Sequence, residues 1–149
     1  MAVRRKYIRA LAEELLIKHN VHEAPAPVHE IIKSLGIEIR EEEVDDDLSG
    51  FLFRDMTKGK AVIGVNASHH HNRVRFTLAH ELGHYLLHEG ETVHFDGRKP
   101  GLTVSLRSVE SSKGVDDNEK EANLFAAELL MPARFLERDL READTDLMD

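Results

Sequence analysis

The five residues His80-Glu81-Leu82-Gly83-His84 constrain this chain more than any other feature. Side chains four apart on a helix lie on one face, so His80 and His84 can offer imidazole nitrogens to a single metal ion. Glu81 sits beside that face, where a carboxylate can take a proton from a metal-activated water. In a chain with ten histidines and many glutamates the bare pattern can arise by chance, so the flanking sequence has to carry the rest.

The flanks read as an amphipathic helix over Asn72 to His88, with Asn72 a possible N-cap and Gly90 a stop signal. Phe76, Leu78, Ala79, Leu82, Leu86 and Leu87 fall on one broad side; Thr77, His80, Glu81, His84 and His88 fall on the other. The competing reading is an ordinary surface helix with solvent-facing histidines. Leu87 and Gly90 stand where a metzincin would place its glycine and third histidine, and the absence of cysteine excludes a thiolate ligand. His88 is a poor third ligand. It lies roughly 12 Å of helix from His80 at about 1.5 Å per residue, against Zn–N bonds of about 2.0–2.1 Å. It fits a supporting or substrate-side position, or a simply exposed one, instead.

The third ligand is sought in Glu119-Lys120-Glu121-Ala122-Asn123-Leu124-Phe125-Ala126-Ala127-Glu128-Leu129-Leu130-Met131-Pro132, a good helix former ended by proline. With Ala122, Ala126, Leu129 and Leu130 at the centre of the apolar stripe, Glu119 and Asn123 fall within it, while Lys120, Glu121 and Glu128 point away. A buried carboxylate needs a partner. A metal ion would serve, with Asn123 orienting a ligand one turn on; an ion pair with Arg73 or Arg75 is the alternative. Glu121 is the fallback ligand.

Arg75 to His84 followed by Glu119 to Pro132 resembles the ImmA/IrrE family of bacterial and phage metallopeptidases, and the resemblance runs from about Val28 to Pro132. It implies a gluzincin-type site: His80, His84 and Glu119 as zinc ligands and Glu81 as catalytic base. It also implies a usual substrate, a helix-turn-helix transcriptional repressor. The segment from His88 to Asp117 departs from the family pattern by carrying an insertion-like stretch that contains Gly and Ser.

Composition frames these expectations. A chain of 149 residues, 41% hydrophobic, suits one compact domain over 1–149 with an acidic tail from about 142. No apolar run is long enough for a membrane, the basic start lacks a signal-like apolar core, and the missing cysteines suit a cytoplasmic protein. A net charge of −8 argues against direct nucleic-acid binding and favours a basic or disordered protein segment as partner. Glu41 to Asp47 reads as a solvated strand end, and His69-His70-His71 as an exposed loop entering the helix.

The expected elements are helices over Arg4 to His19 and Val28 to Leu35, and strands over Ile37 to Val44, Gly50 to Arg54 and Ala61 to Val65, the last two joined as a hairpin around Thr57-Lys58-Gly59-Lys60. The metal helix follows, then a short strand over Leu102 to Leu106 and helices over Asp117 to Leu130 and Ala133 to Ala143. The fold class is therefore α+β, a zincin-like domain with about three strands packed on a metal-site helix and a second ligand-bearing helix. The expected activity is zinc-dependent peptide hydrolysis. Tyr85, His88, His94 and Arg107 are candidates to support an oxyanion, and the strand Ala61 to Val65 is a candidate edge for a bound peptide. The alternatives are a catalytically silent zinc-binding regulator and a metal-free docking partner of toxin–antitoxin type.

Overall fold

Helix α1 (Arg5–Lys18) turns Ile8, Ala12, Leu15 and Leu16 inward, the i, i+4, i+7, i+8 stripe of a helix with one buried face. In the computed structural model, which describes residues 3–45, 47–55, 57–89, 93–97, 112–132, 138, 140 and 141, that stripe packs against the last helix, α4 (Ser112–Leu130). Helix α2 (Val28–Ser34) buries Val28, Ile31 and Ile32 and ends at Gly36, whose φ of 79° is the left-handed value that closes a helix.

Four strands follow the order β1-β3-β2-β4: β1 (Glu38–Glu42), β2 (Leu48–Asp55), β3 (Lys60–Asn66) and β4 (Val93–Gly97). The hairpin expected between β2 and β3 forms, with antiparallel pairing from Gly50↔Val65 to Asp55↔Lys60. β1 pairs parallel to β3, and β4 antiparallel to the other side of β2. Two expectations are corrected here. The sheet has a fourth strand, β4, cut from the stretch read as an insertion. Ala61 to Val65 is not an edge, because β1 and β2 flank it on both sides; the edges are β1 and β4. The strand expected over Leu102 to Leu106, the tail from 142 and most of the helix from Ala133 lie outside the described residues.

Strand alternation decides what reaches the helices. Leu52, Ala61, Ile63 and Val65 form the buried face of the sheet, whereas Phe53 and Phe95 are exposed on the other. His94 registers with Leu52, so it shares the buried face, and Phe95 registers with Phe51. Asn66 closes the end of β3. Its buried amide donates to the carbonyls of Val44, Asp45 and Leu48, and its oxygen accepts from Val44, Ser68 N and Ser68 Oγ. That one side chain ties the β1–β2 connection to the end of β3.

Helix α3 (His71–Leu87) lies across this sheet and packs chiefly on α4. Its N-cap is His70, whose side chain accepts from Asn72 N at 3.2 Å, so Asn72 is inside the helix rather than its cap. Its C-terminus is held by Arg54 of β2, which donates to the carbonyls of His84, Tyr85 and His88. The His84 carbonyl also accepts from His88 N, and the positive guanidinium suits the negative end of the helix dipole. At Gly50, an added Cβ would stand 2.5 Å from Thr77 Cγ2 and 2.7 Å from the Gly64 carbonyl oxygen, so the missing side chain lets α3 lie close on β2. No described helix is long and apolar enough to cross a membrane.

Candidate metal centre

The histidine face of α3 is enclosed rather than solvated. His80 and His84 are each 2% exposed and Glu81 is fully buried, which removes the reading of an ordinary surface helix. The helical wheel located the face correctly but could not show that α4 and β4 cover it. Phe76 was expected on the apolar side. It lies instead one turn before His80, is 38% exposed, and stacks on the His80 ring with centroids 6.2 Å apart.

Glu119 reaches this face from α4. Its Oε2 is 3.1 Å from His80 Nε2 and its Oε1 is 3.1 Å from His84 Nε2. The two Nε2 atoms are 3.2 Å apart. Donors about 3.3 Å apart form the edge of a tetrahedron with bonds of about 2.0–2.1 Å, so the three side chains fit one zinc-sized ion with little rearrangement. Among the described residues these three are the single His/Asp/Glu group so arranged.

The far side of each imidazole is also engaged. His80 Nδ1 is 2.8 Å from Asn123 Oδ1, which can only accept, so the proton sits on Nδ1 and the Nε2 lone pair faces Glu119. His84 Nδ1 is 3.0 Å from His88 Nδ1, and His88 Nε2 is 2.9 Å from Glu121 Oε1. Burial is the largest influence on His84 and, with the nearby His94 and His80, it outweighs Glu119 to lower the pKa to about 3. The imidazole is therefore neutral, as a metal ligand must be.

His94 enters from β4 and spans the carboxylates of Glu119 and Glu81, with Nε2 2.7 Å from Glu119 Oε1 and Nδ1 3.3 Å from Glu81 Oε2. Burial works most strongly against charge on this ring, but the hydrogen bonds to Glu119 and Glu81 prevail and push its pKa up to about 10. Burial alone would raise the Glu119 pKa; the three imidazoles packed against it, His80, His84 and His94, instead hold it far below the ordinary carboxylate range.

The wheel reading of α4 is corrected. Glu121, expected to point away from the interior, is 1% exposed, whereas the Glu119 side chain is 25% exposed on the flank that faces α3. The buried stripe is centred on Ala122, Phe125 and Leu129, and Glu121 lies inside its edge because α1 and the end of α3 cover that side. Arg4 compensates the buried charge. Its backbone N and Nε donate to Oε2 at 2.9 and 3.0 Å, and its Nη2 donates to Oε1 at 3.0 Å. The alternative ion pairs for Glu119 are also replaced: Arg73 donates to Ser49 Oγ and Arg75 to the Ala26 carbonyl.

Of the other candidates, the structure brings His94, Asn123 and His88 to the cluster. Tyr85 packs against Arg54, whose guanidinium lies 5.0 Å over its ring. Arg107 lies outside the described residues. Sequence reasoning missed Arg4 and the position of His94 between the two carboxylates. Only the alternation of Val93-His94-Phe95 hinted at the latter, and nothing local hinted at the former.

Comparison with known proteins agrees with this geometry. The family described as the IrrE N-terminal-like domain, a peptidase family, matches residues 32–149. The metallopeptidase ImmA of Bacillus subtilis (strain 168) is 31% identical over 93 residues, covering 62% of this chain. The chain spans about half the length of that relative, 47%.

Proposed function

Because the chain belongs to the ImmA/IrrE family through its IrrE N-terminal-like domain, we propose that it is a zinc-dependent endopeptidase with a gluzincin-like site. The observation that carries this reading is the convergence of His80, His84 and Glu119 donor atoms within 4.8 Å of one another, beside a buried Glu81. His80 and His84 would hold the metal through Nε2 and Glu119 through its carboxylate. When bound, zinc supplies a Lewis acid that polarises the scissile carbonyl and lowers the pKa of the attacking water to roughly 7.

Glu81 accepts a proton from that water as its oxygen bonds to the carbonyl carbon. The same carboxyl group then gives the proton to the nitrogen of the breaking C–N bond. His94, whose two ring nitrogens lie against Glu119 and Glu81, holds the base and the third ligand in place. Burial keeps bulk water from the Glu81 carboxyl and strengthens both interactions. The substrate is a helix-turn-helix repressor or another regulatory protein, acted on in the cytoplasm of a bacterium or of a phage host. An acidic chain with net charge −8 suits a basic segment of such a partner.

The test is co-expression of wild type and Glu81→Gln with repressor-like products of neighbouring genes. Fragments with wild type and none with Glu81→Gln are expected. Intact partner that binds both versions equally would convert the reading to a non-hydrolytic regulator.

A further inference from the structure

We infer that Arg4, Glu121 and His88 form a hydrogen-bonded relay that fixes the tautomer and orientation of His84, which makes Arg4 a positioning residue for the metal centre. The inference rests on the metal-binding reading above and concerns how the centre is held.

The proton positions follow from donor and acceptor chemistry. Glu121 is ionised, clamped by three donors from Arg4, and can only accept. Its neighbour His88 Nε2, at 2.9 Å, must therefore carry a proton. A neutral His88, its single proton held on Nε2 by Glu121, presents a lone pair at Nδ1. His84 Nδ1, 3.0 Å away, then donates, which leaves the His84 Nε2 lone pair aimed at Glu119 and His80. Each step determines the next, from Arg4 to the metal-facing nitrogen.

The two ligand histidines are thus supported differently. His80 is oriented directly by the Asn123 side chain, from the same helix that carries Glu119. His84 is oriented through two residues that end on Arg4, immediately before α1. Arg4 lies outside the segment 32–149 that matches the family, yet it reaches 117 positions along the chain to Glu121. It also donates to the Leu87 carbonyl at 3.3 Å, so the same side chain holds the end of the histidine helix. A simple ion pair docking α1 onto α4 would need neither His88 between Glu121 and His84 nor a carboxylate at 1% exposure, where an unpaired charge is expensive.

The test is zinc affinity, measured on metal-free protein by competition with a chromophoric chelator. His88→Phe keeps the ring volume and removes the acceptor, and Arg4→Met keeps the stem and removes the clamp. Each should weaken zinc binding about 10-fold or more, the usual effect of losing an outer hydrogen-bond partner. Combined, they should weaken it by clearly less than the product of the two single losses, because Arg4 acts mainly through His88 and only secondarily through the Leu87 carbonyl. Nitrogen-15 NMR of the zinc-bound wild type should show a protonated His84 Nδ1 whose resonance shifts in both single variants. Arg4→Lys, which retains the charge and keeps α1 docked, should fall between wild type and Arg4→Met, and decides the matter if Arg4→Met does not fold. Single variants that bind like wild type, or losses that multiply in the double variant, would overturn the relay alone. A wild type that takes up no zinc would overturn the metal reading and the relay with it.

Discussion

Gly83 rests directly on Ala122, so that a Cβ at Gly83 would stand 3.2 Å from Ala122 Cα, 3.3 Å from its carbonyl oxygen and 3.1 Å from Phe125 Cδ1. This contact sets the separation of α3 and α4, and with it the reach of Glu119 to His80 and His84. The glycine between the two histidines is therefore a spacing element, although it touches no ligand.

Gly83→Val should separate the helices at the point where they meet. Overpacking of this kind costs about 1–3 kcal/mol, more than the helix propensity gained by replacing glycine. Thermal melting of the metal-free protein should fall accordingly. Zinc affinity should fall as well, since Glu119 moves with α4. A variant that melts and binds zinc like wild type would show that the contact is slack.

The two glutamates of α4 should separate in a chelator competition. Glu119→Gln removes a donor of the cluster and should cost the larger loss of zinc affinity. Glu121→Gln keeps the shape of a relay member and should cost about 10-fold. Glu121→Gln should also lower the stability of the metal-free protein, because the Arg4 guanidinium loses a buried anionic partner; Glu119→Gln should do so less, its side chain being a quarter exposed.

What the sequence made legible follows from what is local. The spacing of His80 and His84 and the stripe of α1 depend only on helical period, and the Thr57 to Lys60 turn on local chemistry, so these could be read directly. The metal-facing role of Glu119 was argued for a reason that does not hold. It lies on the flank of the stripe rather than inside it, and the buried carboxylate is Glu121. The wheel failed there because it scores side chains by polarity, while burial of Glu121 depends on Arg4, a residue distant in sequence. β4 was missed for a related cause: five residues with a histidine at the centre carry little strand signal, and pairing with β2 supplies the rest.

Arg54→Met should loosen the end of α3 without touching a ligand. It removes three hydrogen bonds from a charged donor to carbonyls at a helix C-terminus and one stacking contact with Tyr85. A cost of about 2 kcal/mol is expected, in the range for hydrogen bonds from charged groups. Hydrogen exchange should rise first at the amides of the last turn of α3. Unchanged exchange there would mean that packing on the sheet holds this turn without the arginine.

Asp55 offers a pH test away from the metal centre. Its carboxylate accepts from Thr57 Oγ1 at 2.6 Å and from the backbone N of Thr57 and Lys58, and the Thr57 side-chain bond is the largest cause of a pKa below 3.8. A lowered pKa means that this contribution to stability is present above pH 3.8 and is lost as pH falls through the folded-state value. Carbon-13 NMR titration should place Asp55 below the ordinary aspartate value, and Thr57→Val should raise it. No movement in Thr57→Val would show that the two backbone bonds suffice.

Glu81→Gln tests the chemistry while leaving the centre intact. Glu81 is fully buried against His94 and is not among the three residues whose donor atoms converge, so its replacement removes a base and no ligand. The variant should take up close to one zinc per chain, as wild type should. Cleavage should fall by about 100-fold to 10,000-fold, the span attributed to a positioned acid or base. The neighbouring His94 gives an internal check. Loss of the Glu81 charge removes one of the two anions that sustain the imidazolium, so the His94 pKa in metal-free Glu81→Gln should drop from its raised value. Zinc content near one with cleavage abolished assigns the base to Glu81. Zinc lost together with activity would instead place Glu81 among the groups that hold the metal, and the proton transfer would have to pass to His94.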